Sequence, residues 1–394
     1  MQYRIDPKSG AKLSVLGFGC MRFPHVIPMR SNVEKTEKLL LAAIDGGINY
    51  FDTAYIYGDS EVTLGDILSR NKVRDKIFLA TKLPHLKCEC YEDFERLFQE
   101  QLVRLKTDRI DYYLIHNLGT VSRWCELCGI GIERWISEKK LTGQIGQIGF
   151  SFHGAQNEFL ALLDAYDWEF CQIRYNYMNE NYQAGRVGLQ KAHEKNLMVV
   201  IMEPLLGGTL ANGLPRRVRK LFNEAEPGLS PATWALRWLW DQPEITVTLS
   251  GMSSLKQLED NLKTAEDANK KMPAEMAAVL VPAAAAFSEA YKIPCTGCNY
   301  CQPCPHKVNI SGCFSAYNML YAMGYVAGFK QYVTGTASNN PKKNYSGRNC
   351  VKCGACEGKC PQHIEISKSL ETVTKRMEPF WFNTAMKIVS RIMK

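Results

Sequence analysis

The chain lacks several features that would mark common functional classes. Its 394 residues contain no uncharged apolar run of about 18 residues, so we expect no membrane-spanning helix. No stripe of Lys and Arg with interleaved aromatic residues is present, which argues against nucleic-acid binding. No G-x-G-x-x-G turn follows the first strand-like segment, so an open dinucleotide-binding sheet is disfavoured. The first residues have no apolar h-region, so we expect no secretory signal peptide and a cytoplasmic location.

Cysteine, in contrast, is plentiful, with 15 residues. Eight of them form two runs: Cys295, Cys298, Cys301 and Cys304, then Cys350, Cys353, Cys356 and Cys360. The second run has the bacterial ferredoxin spacing for a [4Fe–4S] cluster, including the proline that follows it. The first run is one residue shorter before its last cysteine. Eight thiolates match the ligand count of two four-iron clusters, so the sequence predicts single-electron chemistry.

Zinc and disulfides are the alternatives for these cysteines. A zinc ribbon needs two thiols per knuckle, and four per run are too many. Disulfides are disfavoured because no signal peptide is visible. In two-cluster ferredoxins the fourth cysteine of each run ligates the other cluster. By that rule Cys360 would complete the cluster of the first run, and Cys304 would complete the cluster of the second run.

Residues 1 to about 270 alternate short apolar runs with amphipathic segments such as 34–47 and 91–105. Eight runs are strand-like: they lie near 15–20, 48–52, 76–82, 110–116, 146–150, 169–175, 197–202 and 245–249. Eight strand–helix units over about 265 residues predict a closed (β/α)8 TIM barrel. An open doubly wound sheet is the alternative.

The remainder of the chain predicts a small, mostly helical, ferredoxin-like iron–sulfur domain. We therefore divide the chain into a barrel at 1–270, a connecting helix at 271–292, a 4Fe–4S domain at 293–368 and a tail at 369–394. The tail is amphipathic over 380–394. Such a helix could lie on a membrane surface. Docking onto its own protein is the favoured interpretation, because ordinary surface helices carry the same pattern.

Ionisable residues end three consecutive strand-like runs. They are Asp52, Lys82 and His116, and Tyr57 lies five residues past Asp52. Alone, each would more often be a surface or core group. In a barrel of this type, however, the carboxyl ends of the strands form the active site. The sequence therefore predicts that a carboxylate, an ammonium, an imidazole and a phenol converge at one mouth.

This set of groups suits proton donation to a carbonyl. An unperturbed tyrosine, with a pKa near 10, is a poor acid at neutral pH, and a nearby ammonium lowers that pKa. Asp52 would hold Lys82 charged and in place, and His116 would orient the substrate oxygen. Tyr57 would then protonate that oxygen as hydride reaches the carbon, which is general acid catalysis.

Nearly the whole barrel sequence resembles the aldo-keto reductases. Three motifs are responsible for this resemblance: FDTA-x-x-YG at 51–58, ATK at 80–82 and LIH at 114–116. The resemblance implies that Asp52, Tyr57, Lys82 and His116 form the family's catalytic tetrad. The cysteine-rich end is similar to a subgroup fused to a ferredoxin-type domain.

The resemblance also implies a nicotinamide cofactor, NADP(H) or NAD(H), bound at the barrel mouth. The implied contacts are Ser151, Gln172, Gly207, Gly251, Ser253, Gln257 and Asn261. Met202 stands where many members have a tyrosine that stacks on the nicotinamide, and Ser254 where a cation often clamps the 2′-phosphate. The preference between NADPH and NADH therefore stays open, and the barrel could also hold FMN at its phosphate site.

Three functions are compatible with these patterns. The favoured one is a nicotinamide-dependent reductase of a small-molecule carbonyl, whose clusters are structural or dock a partner. The second is a reductase that receives single electrons from a ferredoxin-like partner through its clusters. The third is an electron-transfer module with an inactive barrel. The intact tetrad argues against the third function, and the altered cofactor segment keeps the second function open.

Overall fold

The computed structural model describes residues 1–27, 30–336, 345–379 and 382. The chain forms two compact units. One comprises Met1–Pro204 with Ala232–Met272, and the other comprises Leu205–Pro231 with the residues from Pro273 onward. Among the helices described, none has both the length and the apolar character required for a bilayer crossing. The amphipathic segment predicted at 380–394 lies outside the described residues, apart from residue 382.

Eight parallel strands of the first unit close into a barrel. In chain order the strands of the unit are β1 (Tyr3–Ile5), β2 (Lys12–Ser14), β3 (Leu16–Gly19), β4 (His25–Ile27), β5 (Arg30–Ser31), β6 (Tyr50–Asp52), β7 (Phe78–Leu83), β8 (Ile110–Ile115), β9 (Ile145–Phe152), β10 (Phe170–Arg174), β11 (Met198–Met202) and β12 (Val247–Ser250). Strands β3 and β6–β12 follow one another around the barrel, and β12 pairs with β3 to close it. The predicted (β/α)8 fold is thus confirmed, and each strand-like run supplies one barrel strand.

Helices surround the strands and build the second unit. They are α1 (Val33–Asp45), α2 (Ser60–Arg70), α3 (Tyr91–Leu105), α4 (Val121–Gly129), α5 (Ile132–Leu141), α6 (Gln156–Ala165), α7 (Gly185–Glu194), α8 (Thr209–Asn212), α9 (Arg216–Ala225), α10 (Pro231–Trp240), α11 (Leu255–Glu266), α12 (Ala274–Ala290), α13 (Ile310–Met323), α14 (Tyr325–Thr336) and α15 (Ile366–Met377). Side chains of Asn32, Thr120 and Ser254 cap α1, α4 and α11, each by accepting a backbone N–H three residues on.

An aromatic layer fills the barrel below the strand ends. The Tyr112 ring lies between Tyr50 and Phe170, with centroid distances of 5.2 and 5.3 Å. Gly149 allows the close approach on β9, because a Cβ there would lie 2.4 Å from the Phe170 carbonyl oxygen. Side chains alternate along a strand, so Asp52 lies on the same inner face as Tyr50, one layer nearer the mouth. The layer therefore forms a packed floor beneath the polar groups.

The second unit has its own apolar core. Helix α13 packs against α14 and α15, and α9 packs against α12. Phe314, Tyr332, Leu370 and Val373 are buried in this core, and six cysteines of the two runs pack against its edge. Cysteine ligands held at the edge of a helical core are the expected surroundings for iron–sulfur clusters in a domain of this size.

Trp135 on α5 provides a test of the barrel packing. Its side chain is 1% exposed, and its ring lies 5.5 Å from Phe98 and 6.0 Å from Tyr113. We expect Trp135→Ala to lower the free energy of unfolding by about 3–5 kcal/mol, measured by denaturant titration, because it leaves a large cavity. Val103→Ala, at a 75% exposed position on α3, is the control and should change it by less than about 0.5 kcal/mol. Equal losses in both variants would contradict this packing.

Candidate active site

A buried ion pair lies at the centre of the barrel mouth. Lys82 Nζ donates to the two carboxylate oxygens of Asp52 at 2.7 and 2.8 Å, and to the Thr53 carbonyl oxygen at 2.7 Å. The Lys82 and Asp52 side chains are 1% and 5% exposed. An ammonium has three donors, so these contacts use all of them. The lysine is therefore fixed in position by β6 and by the residue that follows it.

The other two predicted catalytic side chains lie beside this pair. Lys82 Nζ is 5.0 Å from the centroid of the Tyr57 ring. The Tyr57 ring in turn meets the His116 ring edge-on, with centroids 5.8 Å apart. The structure thus brings together all four side chains that the sequence predicted to converge: Asp52, Tyr57, Lys82 and His116.

Burial shifts the titration of these groups. It raises the pKa of Asp52 and lowers the pKa of Lys82, while the ion pair between them opposes both shifts. Burial, and after it the Lys82 cation, holds the pKa of His116 well below its ordinary value of 6.5. His116 is therefore a neutral imidazole at pH 7, with one nitrogen that can donate and one that can accept a hydrogen bond.

A buried hydrogen-bond network supports β7 from its outer face. Glu61 accepts from Thr81 Oγ1 and from Gln101 Nε2, each at 2.7 Å. Gln101 Nε2 also donates to the Lys82 carbonyl oxygen at 3.1 Å, and Tyr113 donates to Gln101 Oε1 at 2.7 Å. The network holds the backbone that carries the catalytic lysine candidate.

The sequence interpretation missed this network, although α2 contained a signal for it. Glu61 lies on the same helix face as Leu64 and Leu68, at spacings of three and seven residues. A carboxylate on the apolar face of an amphipathic helix indicates a buried acid with partners on neighbouring elements. Burial raises the pKa of Glu61, and its hydrogen bonds from Thr81 and Gln101 oppose that shift.

Gln172 on β10 presents an acceptor without a partner at the barrel mouth. Its Nε2 lies 3.4 Å from Asp52 Oδ2. Its Oε1 is buried and has no hydrogen-bond partner in the part of the chain that the structure describes. Buried polar atoms are nearly always hydrogen-bonded, so an orphaned acceptor here fits an N–H donor of a bound ligand. The carboxamide of a nicotinamide is such a donor.

The remaining predicted cofactor contacts fall into separate groups. Ser151, paired in register with Gln172, accepts the Asn117 N–H at 2.8 Å. Gln257 Oε1 accepts the Ser253 N–H at 2.8 Å, which ties the loop before α11 to that helix. Asn261 is buried and donates to Ser250 Oγ at 3.0 Å, so its amide supports β12.

The two glycines predicted to contact the cofactor have different settings. Gly251 directly follows β12, and a Cβ at this position would lie 3.6 Å from Arg22 Cβ. Gly207 has φ of 67°, a left-handed conformation that suits glycine, and it belongs to the second unit.

A second buried cation at the mouth was also missed by the sequence interpretation. Arg174 lies two residues past Gln172 on the same inner face of β10. It is 2% exposed, lies 3.0 Å from the Glu203 carboxylate and donates to Asn179 Oδ1 at 2.7 Å. Met202, where the family often has a stacking tyrosine, pairs in register with Arg174. A charged pair therefore lines the part of the mouth where an aromatic ring is missing.

The two cysteine runs approach each other in the second unit. Burial, and after it the neighbouring Cys298, Cys295 and Cys360, raises the pKa of Cys301 to about 12. Burial and the charges of Glu357, Cys350 and Cys304 likewise raise the pKa of Cys356.

The last cysteine of each run therefore lies near a thiol of the other run: Cys360 near Cys301, and Cys304 near Cys356. Within the described residues, no three His, Cys, Asp or Glu side chains are grouped closely enough to hold a single metal ion.

Comparisons with known proteins agree with this geometry. The profile of the aldo/keto reductase family matches residues 15–279, and that of the 4Fe-4S dicluster domain matches residues 294–365. The chain is 26% identical over 308 residues to the uncharacterized oxidoreductase YrpG of Bacillus subtilis, covering 68% of this chain and 91% of that protein. It is 28% identical over 247 residues to the 6-dehydroglucose reductase of Novosphingobium aromaticivorans, covering 57% and 78%.

Solved structures show the same fold. An aldo-keto reductase from Bacillus halodurans, in its holo form, superposes with a TM-score of 0.59 at 24% identity, covering 72% of this chain and 96% of that one. An aldo-keto reductase from Klebsiella pneumoniae in complex with NADPH superposes with a TM-score of 0.59 at 21% identity, covering 72% and 95%. The family profile spans well over half of the chain, and so this protein belongs to the aldo/keto reductase family and carries a 4Fe–4S dicluster domain after its barrel.

Proposed function

We propose that the protein is a carbonyl reductase that uses NADP(H) or NAD(H), with Tyr57 as the proton donor and two [4Fe–4S] clusters in its second unit. The observation that carries the proposal is the Lys82 ammonium, fixed by Asp52 and Thr53 and placed 5.0 Å from the Tyr57 ring. We also propose the domain boundaries at residues 270, 292 and 368. We also propose a cytoplasmic location, because a chain with 15 cysteines, eight of them in the two cluster runs, suits a reducing compartment.

The barrel residues divide the work of proton transfer. When bound, the nicotinamide supplies the hydride that reduces the substrate carbon. Tyr57 gives its phenolic proton to the carbonyl oxygen, and the adjacent Lys82 ammonium stabilises the phenolate that remains. Neutral His116 donates a hydrogen bond that orients the same oxygen. Asp52 keeps Lys82 charged, since an unpaired buried ammonium would release its proton.

The residues at the mouth fit a nicotinamide. Gln172 Oε1, buried and unpartnered among the described residues, would accept a hydrogen bond from the carboxamide. Ser254 Oγ accepts the Gln257 N–H at 3.3 Å as the cap of α11, and it supplies no cation for a 2′-phosphate. The position therefore gives NADPH no charge-based advantage over NADH. The substrate is a small-molecule carbonyl compound.

The second unit fits two clusters with crossed ligands. After burial, neighbouring thiols raise the pKa of both Cys301 and Cys356. Cys360 is among those that act on Cys301 and Cys304 among those that act on Cys356, which supports the crossed pairing. Bound clusters would supply one-electron transfer, whereas a nicotinamide delivers two electrons as hydride.

The second candidate function is a reductase that takes single electrons from a partner protein. The exposed thiol of Cys353 favours it, because electron exchange between proteins needs a centre near the surface.

Removing the phenol tests the proton donor. We expect Tyr57→Phe to lower kcat for NADPH-dependent reduction of 4-nitrobenzaldehyde by about 10²-fold or more, because a general acid contributes that much. Tyr55→Phe is the matched control. Its hydroxyl donates to Glu100 at 3.0 Å, so this variant should keep its rate within about twofold. A Tyr57→Phe enzyme with unchanged kcat would show that another group supplies the proton.

The state of His116 can be observed directly. Because its pKa is held well below 6.5, its ring should stay neutral at pH 6, whereas an ordinary histidine would be more than half protonated there. Nitrogen-15 NMR of labelled histidine measures this, with His116→Asn assigning the signal and free imidazole in the same buffer serving as the titrating reference. A His116 signal that titrates near pH 6.5 would contradict the neutral imidazole.

Paired cysteine substitutions test the crossed clusters. The anaerobically isolated protein should contain about eight irons. Cys301→Ala with Cys360→Ala removes two ligands of one cluster and should leave about four irons. Cys301→Ala with Cys304→Ala damages both clusters and should leave almost none. Exposed Cys125→Ala is the control and should change nothing. Equal iron in the two double variants would refute the crossing, and iron near zero in the unmodified protein would refute the clusters.

A further inference from the structure

The loop that carries the second cysteine run is open to solvent. Residues 351–355 are all exposed, and Val351 is 59% accessible. Cys353 is an exposed thiol, while Cys295, Cys298 and Cys301 of the first run are half-buried. A cluster held by the second run would therefore have one side next to solvent, and an apolar side chain would lie beside it.

Exposed cations lie along the same loop and beside its crossed ligand. Lys352 and Lys359 fall within the second run, and Lys307 follows Cys304 by three residues. Lys307 N–H donates to the Cys304 carbonyl oxygen at 2.9 Å, so it belongs to the turn that carries that thiol. We call Lys307, Val351, Lys352 and Lys359 the lysine face.

The acidic groups near the lysine face already form hydrogen bonds or ion pairs within the protein. Glu357, the one acidic residue of the second run, is half-buried and accepts the Ser367 N–H at 2.9 Å at the start of α15. Glu371 lies 3.1 Å from Lys352 and also 3.1 Å from Lys375. Exposed ion pairs of this kind contribute little, so an acidic partner can replace Glu371 at Lys352.

The second unit as a whole is also positively charged. Residues 205–231 and 273–394 contain 18 Lys and Arg against 8 Asp and Glu, and no Asp occurs after residue 272. The chain as a whole has a net charge of +8, so the first unit is slightly acidic and the second carries the positive charge. Bound clusters would cancel only part of it. A field of one sign steers oppositely charged proteins towards such a surface.

We propose that the lysine face is the docking site for an acidic one-electron carrier protein. Protein interfaces commonly combine an apolar centre with a polar rim, and the lysine face offers both an exposed apolar side chain, Val351, and exposed cations. At each docking event the carrier loses one electron and this protein gains one. No bond is made or broken, and no proton is required. The inference rests on the proposed clusters, because without them the face has nothing to reduce.

Binding of an oxidised carrier tests the docking separately from turnover. The probe is a plant-type [2Fe–2S] ferredoxin, an acidic protein, titrated calorimetrically into the anaerobic full-length protein. We expect Kd to rise steeply with salt. The triple variant Lys307→Glu, Lys352→Glu, Lys359→Glu should weaken binding by about tenfold or more at low salt, because like charges then oppose each other. Reduced ferredoxin should also reduce the clusters of the variant more slowly than those of the unmodified protein, as followed by the loss of visible absorption.

The control carries the same change of net charge at exposed cations outside the cysteine loops: Arg219→Glu, Lys330→Glu and Lys368→Glu. It should keep Kd within about threefold. Equal weakening in both triple variants would overturn the proposal that the lysine face is the docking site. Binding that does not depend on salt would overturn it as well. Iron is measured in every sample: no iron in the unmodified protein refutes the clusters and the docking together, while full iron without binding refutes the docking alone. Anionic lipid vesicles are titrated in parallel, and binding to them instead of ferredoxin would overturn the protein partner.

Discussion

The buried pair of Lys82 and Asp52 is the interaction on which the proposed chemistry of the barrel depends. Removing a charge from water costs several kcal/mol per ion, and the cost is offset only when geometry and hydrogen bonding are nearly complete. Here both carboxylate oxygens and the Thr53 carbonyl accept from one ammonium. Neither charge can be removed alone without leaving the other unpaired. The ammonium therefore cannot move away from Tyr57, and the site needs no bound ligand to position it.

The packing and hydrogen bonds around the Lys82–Asp52 pair also hold the strands that carry it. The Tyr50, Tyr112 and Phe170 layer closes the barrel below the pair, and the Glu61 network holds β7 from outside through Gln101. Groups held on strands by packing and by a second layer of hydrogen bonds keep their geometry better than groups on loops. Tyr57, on a loop, is the exception, and its ring contacts Lys82 and His116 directly.

Local patterns made much of this site predictable. Strand-end residues such as Asp52 and Lys82 could be located because apolar runs mark the barrel strands, and the cysteine spacing is itself the signature of a cluster. The Glu61 network could not be derived in the same way, since Thr81, Gln101 and Tyr113 meet Glu61 only after α2, α3, β7 and β8 pack. Arg174 and Glu203 are separated by a whole strand–helix unit. Asn261 matched a cofactor motif, yet its buried amide bonds Ser250, which only the fold shows.

The two kinds of redox chemistry proposed for the chain place opposite demands on solvent, and the residues suited to each lie in different units. Transfer of a hydride and a proton requires a site that excludes water, where an ammonium acts strongly on a neighbouring phenol. At the barrel mouth His116 is buried, and that burial lowers the pKa of its imidazole. Exchange of single electrons with another protein instead requires a centre near the surface, as the exposed Cys353 loop provides. A buried polar cluster and an open thiol loop could not share one pocket, so two structural units are the physical solution.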